Sequence, residues 1–340
     1  MKSFSTGILL VNTGSSSAPE TAETREYLRQ FLSDPRIIDI AAWKRWVLVH
    51  CFILPFRPAK TAEAYKAVWT DRGSPLLSIS EDFAKVLGEV LPDRPVEIGM
   101  AYGVPSIETG MDKLIATGVD RIVVVPMFPQ YASATTGGVV ERCAKHVAKQ
   151  WNTPFLSFLP PYFDDEGYLD AWQAVAADRL AAFKPDHVLL SYHGLPERHI
   201  FKGDPSGSHC LKVKDCCAVE TPANKNCYRR QCMATSRAII QRLALEEGKY
   251  SLTFQSRLGR DPWLSPATDQ TVVALAKSGV KRLAVLSPAF TADCLETLEE
   301  IGMQAKESFE EHGGEAFELI PSLNTHPRWV EALADLIKAV

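Results

Sequence analysis

Val188-Leu189-Leu190-Ser191-Tyr192-His193-Gly194 reads as a short buried strand that ends in a tight turn. Ile8-Leu9-Leu10-Val11-Asn12-Thr13-Gly14 echoes it 180 residues earlier. A second pair follows at an offset of about 161 residues, Ile122-Val123-Val124-Val125-Pro126-Met127-Phe128 against Leu283-Ala284-Val285-Leu286-Ser287-Pro288-Ala289-Phe290. Amphipathic stretches of helical period lie between these runs, as at 107–118 and 267–279. Strands alternating with helices predict parallel sheets covered on both faces. The sequence therefore predicts an α/β fold with two similar doubly wound lobes meeting near residues 155–165. The expected divisions are 1–160, then 161–322 carrying an insertion at 206–230, then a closing helix within 323–340. A duplicated α/β chain of this kind is expected to bind its ligand between the lobes, beyond the carboxyl ends of the strands.

The bulk numbers agree with that plan. The 340 residues suffice for roughly two domains, and 46% apolar with 23% charged residues is a globular balance. A net charge of −4 argues against a nucleic-acid surface. The first residues, Met1 to Gly7, lead into Ile8-Val11, a run too short for a secretory signal. No stretch approaches the ~18 apolar residues of a membrane span. The expected location is the cytoplasm, where eight cysteines are reduced thiols or ligands rather than disulfides. There is no Gly-x-Gly-x-x-Gly after the first strand and no Gly-Lys-Ser/Thr motif, which disfavours nucleotide binding.

His193 sits at a carboxyl strand end, where a side chain points towards the expected ligand. Imidazole there suits a metal ligand or a base titrating near neutrality, and an ordinary loop histidine is the alternative. Asp293, Glu296 and Glu300 would share a helix face at i, i+3 and i+7. That acidic stripe could pass a divalent cation or accept protons. Asp293 with Glu296 also has the spacing of a capping box, which needs no functional reading. Pro126 to Gly138 follows another strand and combines Phe128, Tyr131, Ser133 and two threonines, a rim suited to a flat apolar ligand with polar edges.

Two further segments stand out. Cys210, Cys216, Cys217, Cys227 and Cys232 fall within 23 positions, among basic and polar residues with little core of their own. Their spacing does not match paired Cys-x-x-Cys knuckles. Four thiolates could hold an iron–sulfur cluster, and structural zinc or scattered thiols are the other readings. Residues 41–58 carry Trp43, Trp46, Phe52 and Phe56 with Lys44, Arg45 and Arg57 interspersed. This suits peripheral membrane contact or the apolar mouth of a cleft, with a plain core helix as the alternative.

Phe31-Leu32-Ser33-Asp34-Pro35-Arg36-Ile37-Ile38-Asp39, Gly73-Ser74-Pro75-Leu76-Leu77 and Tyr102-Gly103-Val104-Pro105-Ser106-Ile107 come in order along the chain. Pro129-Gln130-Tyr131, Thr135-Thr136-Gly137, Ser191-Tyr192-His193-Gly194-Leu195-Pro196 and Gly203-Asp204-Pro205 follow. Thr253-Phe254-Gln255-Ser256-Arg257, Trp263-Leu264 and Asp293-Cys294-Leu295-Glu296-Thr297-Leu298-Glu299-Glu300 complete the set. In these motifs the chain resembles the ferrochelatases nearly end to end. The resemblance implies two Rossmann-like lobes in a chelatase-type bilobal fold with a central porphyrin cleft, and insertion of Fe²⁺ into protoporphyrin IX to form heme b. It implies His193, Glu296 and Glu300 as catalytic residues, His193 and Glu296 also meeting the iron. Thr13, Tyr131, Ser133, Gln255, Trp263 and Phe290 would lie near the porphyrin. Thr13 stands where coproporphyrin-using relatives carry tyrosine, which favours protoporphyrin IX. Ala101 replaces an arginine common in the family. The segment between Gly203-Asp204-Pro205 and Gln231-Cys232 is about twenty residues longer than usual and resembles the cysteine insertion of members with a [2Fe-2S] cluster. Five cysteines then compete for four ligand positions. A cobalt-inserting chelatase, or a non-catalytic heme or iron–sulfur sensor on the same scaffold, is the alternative.

Overall fold

The computed structural model describes residues 4–257, 259 and 261–340. The chain divides into two compact units: Met1–Met127 with Ser133–Pro160 and Leu333–Val340, and Phe128–Ala132 with Pro161–Ala332.

The first unit is built on β1 (Thr6–Gly14), β2 (Val96–Tyr102), β3 (Arg121–Pro126) and β4 (Phe155–Phe158), all parallel, in the order β2-β1-β3-β4. The second repeats this with β5 (His187–His193), β6 (Tyr250–Gln255), β7 (Arg282–Leu286) and β8 (Ala316–Leu319), in the order β6-β5-β7-β8. The two sequence echoes fall on equivalent strands, β1 with β5 and β3 with β7. These four are the inner strands of their sheets and are almost wholly buried, while the outer strands are half-buried. That is why the inner strands read as continuous apolar runs. The helix expected over 107–118 spans Ile107–Ala116 and is capped by Ser106, whose hydroxyl accepts the Thr109 N–H. The one expected over 267–279 spans Thr268–Lys277.

One core cluster of the second unit matters for the site. Leu189, Leu283 and Val285 of β5 and β7 pack against Ile301, Ala305 and Phe309. At about 25 cal/mol per Å² of apolar area, each such side chain contributes roughly 1.5–3 kcal/mol. The cluster pins the segment Glu296–Ala305 to the sheet. That segment is π-helical rather than α-helical, and its N-cap is Leu295 with no side-chain cap. The capping-box alternative therefore fails. Asp293 instead turns inward and accepts hydrogen bonds from Ser322 N–H, Asn324 Nδ2 and Thr297 Oγ1. Asp293 precedes the helix, which starts at Glu296, so Glu296 and Glu300 form the acidic face without it.

Residues 41–58 do not form a core helix. They make an α-helix over Ala42–Val47 and a π-helical stretch over Leu48–Ile53. Trp43, Trp46, Phe52 and Phe56 are 67%, 58%, 64% and 76% exposed, and only Val49 and Leu54 of the apolar residues are buried. No helix among the described residues is long and apolar enough to cross a membrane.

Candidate active site

His193 is the last residue of β5 and pairs in register with Gln255, the last of β6. Parallel register puts both side chains on the same face, together with Ser191. The turn beyond is closed by Gly194 N–H donating to Gln255 O at 2.7 Å. A Cβ at Gly194 would lie 2.8 Å from that oxygen and 3.2 Å from Ser256 O, so only glycine fits. Trp263 also flanks the turn: its Cε3 would lie 3.3 Å from the same Cβ, and Pro196 bridges to Trp263.

The imidazole is oriented by its own turn. His193 Nδ1 lies 2.7 Å from Gly194 O. A carbonyl only accepts, so Nδ1 carries the proton and the lone pair is on Nε2. The Phe290 ring packs against the imidazole, centroids 6.5 Å apart at 62°.

Gln255 connects the histidine strand to the acids. It is buried; its Oε1 accepts from Ser191 Oγ at 2.9 Å. Its Nε2 donates to Glu296 O at 3.0 Å and Glu300 Oε2 at 3.2 Å. Glu300 further accepts Ser256 N–H at 2.8 Å and Ser256 Oγ–H. Burial raises the Glu300 carboxyl above its ordinary value, and the charge of Glu296 pushes the same way; Ser256, His193 and Gln255 oppose them. Through Gln255, its partner in the sheet, the histidine strand is thus tied to Glu296 and Glu300. Burial also drives the Cys294 thiol well up, as does its hydrogen bond to Glu296. The geometry can thus take a proton on Nε2 and pass or hold protons between two neighbouring carboxyls.

The other expected site residues are placed as follows. Tyr131 belongs to the second unit, and its N–H donates to Gln231 Oε1 at 2.6 Å. Thr13, near the end of β1, and Ser133, whose hydroxyl accepts from Arg36 Nη1, belong to the first unit. Two residues escaped the sequence reading. Ser256 supports Glu300 from a left-handed backbone conformation at φ 60°, and Cys294 contacts Glu296. Ser256 lay inside the quoted motif at 253–257, but nothing in a lone serine announces such a contact.

The cysteine insertion is more ordered than its composition suggests. Asp204 accepts Ser206 N–H and Oγ–H on one oxygen and the N–H groups of His209 and Cys210 on the other. These bonds hold its carboxyl below the usual range, the Ser206 hydroxyl first. The buried Asn224 donates to Cys216 O and Val219 O and accepts Thr221 N–H. The sulfurs of Cys216 and Cys217 are 3.8 Å apart. Cys227 is hydrogen-bonded to Cys210 and to Cys217. Burial raises the Cys210 and Cys216 thiols. Cys217 is raised by its bond to Cys227 and then by burial, although Arg229 Nη1 donates to its sulfur at 3.1 Å. Cys232 is fully buried on the helix Tyr228–Arg242, where it interacts with Tyr228 and Cys217. Among the described residues no three His, Cys, Asp or Glu side chains are arranged to hold a single metal ion.

Two parallel sheets of identical strand order, each with its helices, make a duplicated α/β fold. Solved structures of this fold include SirB from Bacillus subtilis with Fe³⁺, at TM-score 0.56, 13% identity and coverage of 98% of this chain and 94% of that one. The sirohydrochlorin chelatase SirB from Bacillus subtilis subspecies spizizenii, in complex with cobalt, matches at TM-score 0.51 and 14% identity over the same shares. Both likenesses bear on the fold alone. The sequence goes further: the ferrochelatase family model matches residues 5–340, and the chain belongs to the ferrochelatase family. A ferrochelatase of Coxiella burnetii (strain Dugway 5J108-111) is 44% identical over 334 residues, 98% of this chain and 93% of that protein. One of Pseudomonas fluorescens (strain Pf0-1) is 46% identical over 330 residues, covering 97% and 96%. One of Bdellovibrio bacteriovorus is 43% identical over 335 residues, covering 98% and 99%.

Proposed function

We propose that this enzyme inserts Fe²⁺ into protoporphyrin IX to form heme b, with His193, Glu296 and Glu300 carrying the protons and meeting the metal. The observation that carries the reading is the bonding at the carboxyl ends of the second sheet: His193 presents its Nε2 lone pair, and Gln255, its partner in the sheet, bonds Glu296 O and the Glu300 carboxylate. Family membership and the named relatives supply the substrate class. The cobalt-inserting alternative draws only on likeness of fold.

Insertion replaces two pyrrole protons by one metal ion, so two protons must leave the macrocycle. In-plane lone pairs make a flat porphyrin a poor ligand. Binding energy used to bend it would tilt those lone pairs towards the metal. His193 Nε2 takes one pyrrole proton, and its fixed Nδ1–H keeps the ring from turning away. The Glu296–Glu300 pair takes the second proton, which two adjacent carboxyls share more readily than they share two negative charges. When anionic, the same pair helps the entering ion shed water. The order in which His193 and Glu296 meet the iron follows from neither residue alone. Purified His193→Ala enzyme, supplied with Fe²⁺ and protoporphyrin anaerobically, should form heme at no more than a residual rate. Near-normal heme formation would overturn the assignment.

We further propose a [2Fe-2S] cluster on Cys210, Cys216, Cys217 and Cys227, with Cys232 excluded. Such a cluster takes two thiolates per iron. The closeness of Cys216 to Cys217 at 3.8 Å and the contacts of Cys227 with Cys210 and Cys217 support this choice of four. Iron enters and leaves ferrous, so a bound cluster would supply ordering of the insertion or redox sensing rather than electrons for the reaction. Iron and acid-labile sulfide in anaerobically purified protein test this; zinc without sulfide would refute it. The exposed Trp43, Trp46, Phe52 and Phe56, with Lys44, Arg45 and Arg57 among them, support peripheral membrane contact by a cytoplasmic enzyme.

A further inference from the structure

We infer that Tyr228 is a positioning residue for His193, and that it is the link between the cysteine insertion and the catalytic histidine. Cys227 is the N-cap of the helix Tyr228–Arg242, and Tyr228 is its first residue. Tyr228 is buried, and its hydroxyl donates to the backbone carbonyl of His193 at 2.8 Å. The Cys232 thiol lies against Tyr228 one turn further along the same helix, so the ring is enclosed where its hydroxyl reaches the His193 carbonyl. The result is a buried contact from the start of this helix to the peptide that carries the base.

That peptide is held from both of its polar ends. On the far side, Gly194 N–H is held by Gln255 O, and Gly194 O is the acceptor that orients the imidazole. Tyr228 therefore fixes the near side of the same turn. A shift of the His193 carbonyl tilts Nε2 off its line to the substrate, and proton transfer depends steeply on that line. The helix start has a second duty: Gln231 accepts Tyr131 N–H and donates to Lys225 O within the insertion. Nothing but the backbone separates Cys227 from this first turn, so whatever holds the Cys227 sulfur holds the turn. This second half of the inference rests on the cluster proposed above.

The test is Tyr228→Phe, which removes one hydroxyl and keeps the ring. Iron, sulfide and visible absorbance should match the parent enzyme, KM for porphyrin should stay within about twofold, and kcat should fall about tenfold, the equivalent of one displaced hydrogen bond in the barrier. Ser236→Ala provides the structural control. It cuts the 2.8 Å bond from the same helix to Tyr192, the residue before His193, without touching the His193 carbonyl. It should lower Tm comparably and leave kcat within about twofold. Parental kcat in Tyr228→Phe, or an equal loss in Ser236→Ala, would overturn the positioning role. For the link, Cys227→Ser should lower kcat, and adding Tyr228→Phe should lower it little further, because one path has already been cut. Multiplying losses would overturn the link. Parent enzyme free of iron and sulfide would refute the cluster instead, leaving the Tyr228→Phe measurement to decide the positioning role by itself.

Discussion

Ser256→Ala offers a sharp test of the acidic wall, because it removes one hydroxyl and leaves the backbone donor to Glu300 in place. Hydrogen bonds to charged groups contribute about 1.5–3 kcal/mol. Without the Ser256 hydroxyl the Glu300 carboxyl should rise further. The direction follows from the structure, since the Ser256 hydroxyl opposes the burial that already raises this carboxyl. If Glu300 must be ionised to accept a proton, the acid limb of kcat against pH moves up with it. Stability has its own signature. A carboxyl raised in the folded state binds more protons there than in the unfolded chain, so stability falls as pH rises from the ordinary 4.5 through the raised value. In the variant that fall extends to higher pH. Tm should therefore differ little from the parent near pH 4 and by about 4–8 °C at alkaline pH, for a loss of about 2 kcal/mol. Stopped-time heme formation across pH 5–9 and thermal melts at the two extremes read both. An acid limb that stays put or moves down would refute the assignment of Glu300 to proton transfer.

Three other outcomes follow from the geometry. Gly194→Ala should abolish most activity and destabilise by about 1–3 kcal/mol, because its Cβ meets the Gln255 and Ser256 carbonyls; calorimetry and heme formation check this. Asp204→Ala should leave four donors of the insertion unsatisfied, and the purified protein should contain less than half the parental sulfide if the insertion holds a cluster. In the parent, the support from Asp204 is present above the ordinary carboxylate range and is lost only as pH falls through its lowered value, so brief exposure to pH 4–5 should not release the loop. Replacing Trp46 and Phe52 with serine should reduce co-sedimentation with anionic vesicles at least fivefold, since each removes a large exposed apolar surface; unchanged binding would remove residues 41–58 from membrane contact.

The comparison of sequence with structure divides along a physical line. Periodicity and duplication depend on local chemistry: Val188-Leu190 and Ile122-Val125 are apolar throughout because both faces of an inner strand are buried, and this is visible residue by residue. So the parallel α/β plan, the equivalence of β1 with β5 and β3 with β7, and the place of His193 at a strand end were all legible. The motifs were legible for the same reason, being contiguous. What escaped were contacts made across the fold. The i, i+3, i+7 spacing of the acids places them on one helix face only if the helix includes Asp293; it starts at Glu296, and Asp293 is held instead by Ser322 and Asn324. The buried amide of Gln255 joins Ser191 to Glu296 and Glu300, a bridge no local pattern announces.

By itself, then, the sequence determined the repeated strand–helix architecture, the family, and the residue types available for chemistry, because each is written in neighbouring positions. Only the tertiary structure decided how those residues are used. The proton on His193 Nδ1 is set by a carbonyl that its own turn brings back to the ring, the raised carboxyl of Glu300 by burial and its neighbours, and the inward turn of Asp293 by Ser322 and Asn324. The first needs a turn that the paired strands fix, the second the removal of water, and the third contacts between groups far apart in the chain; none exists until the chain has folded.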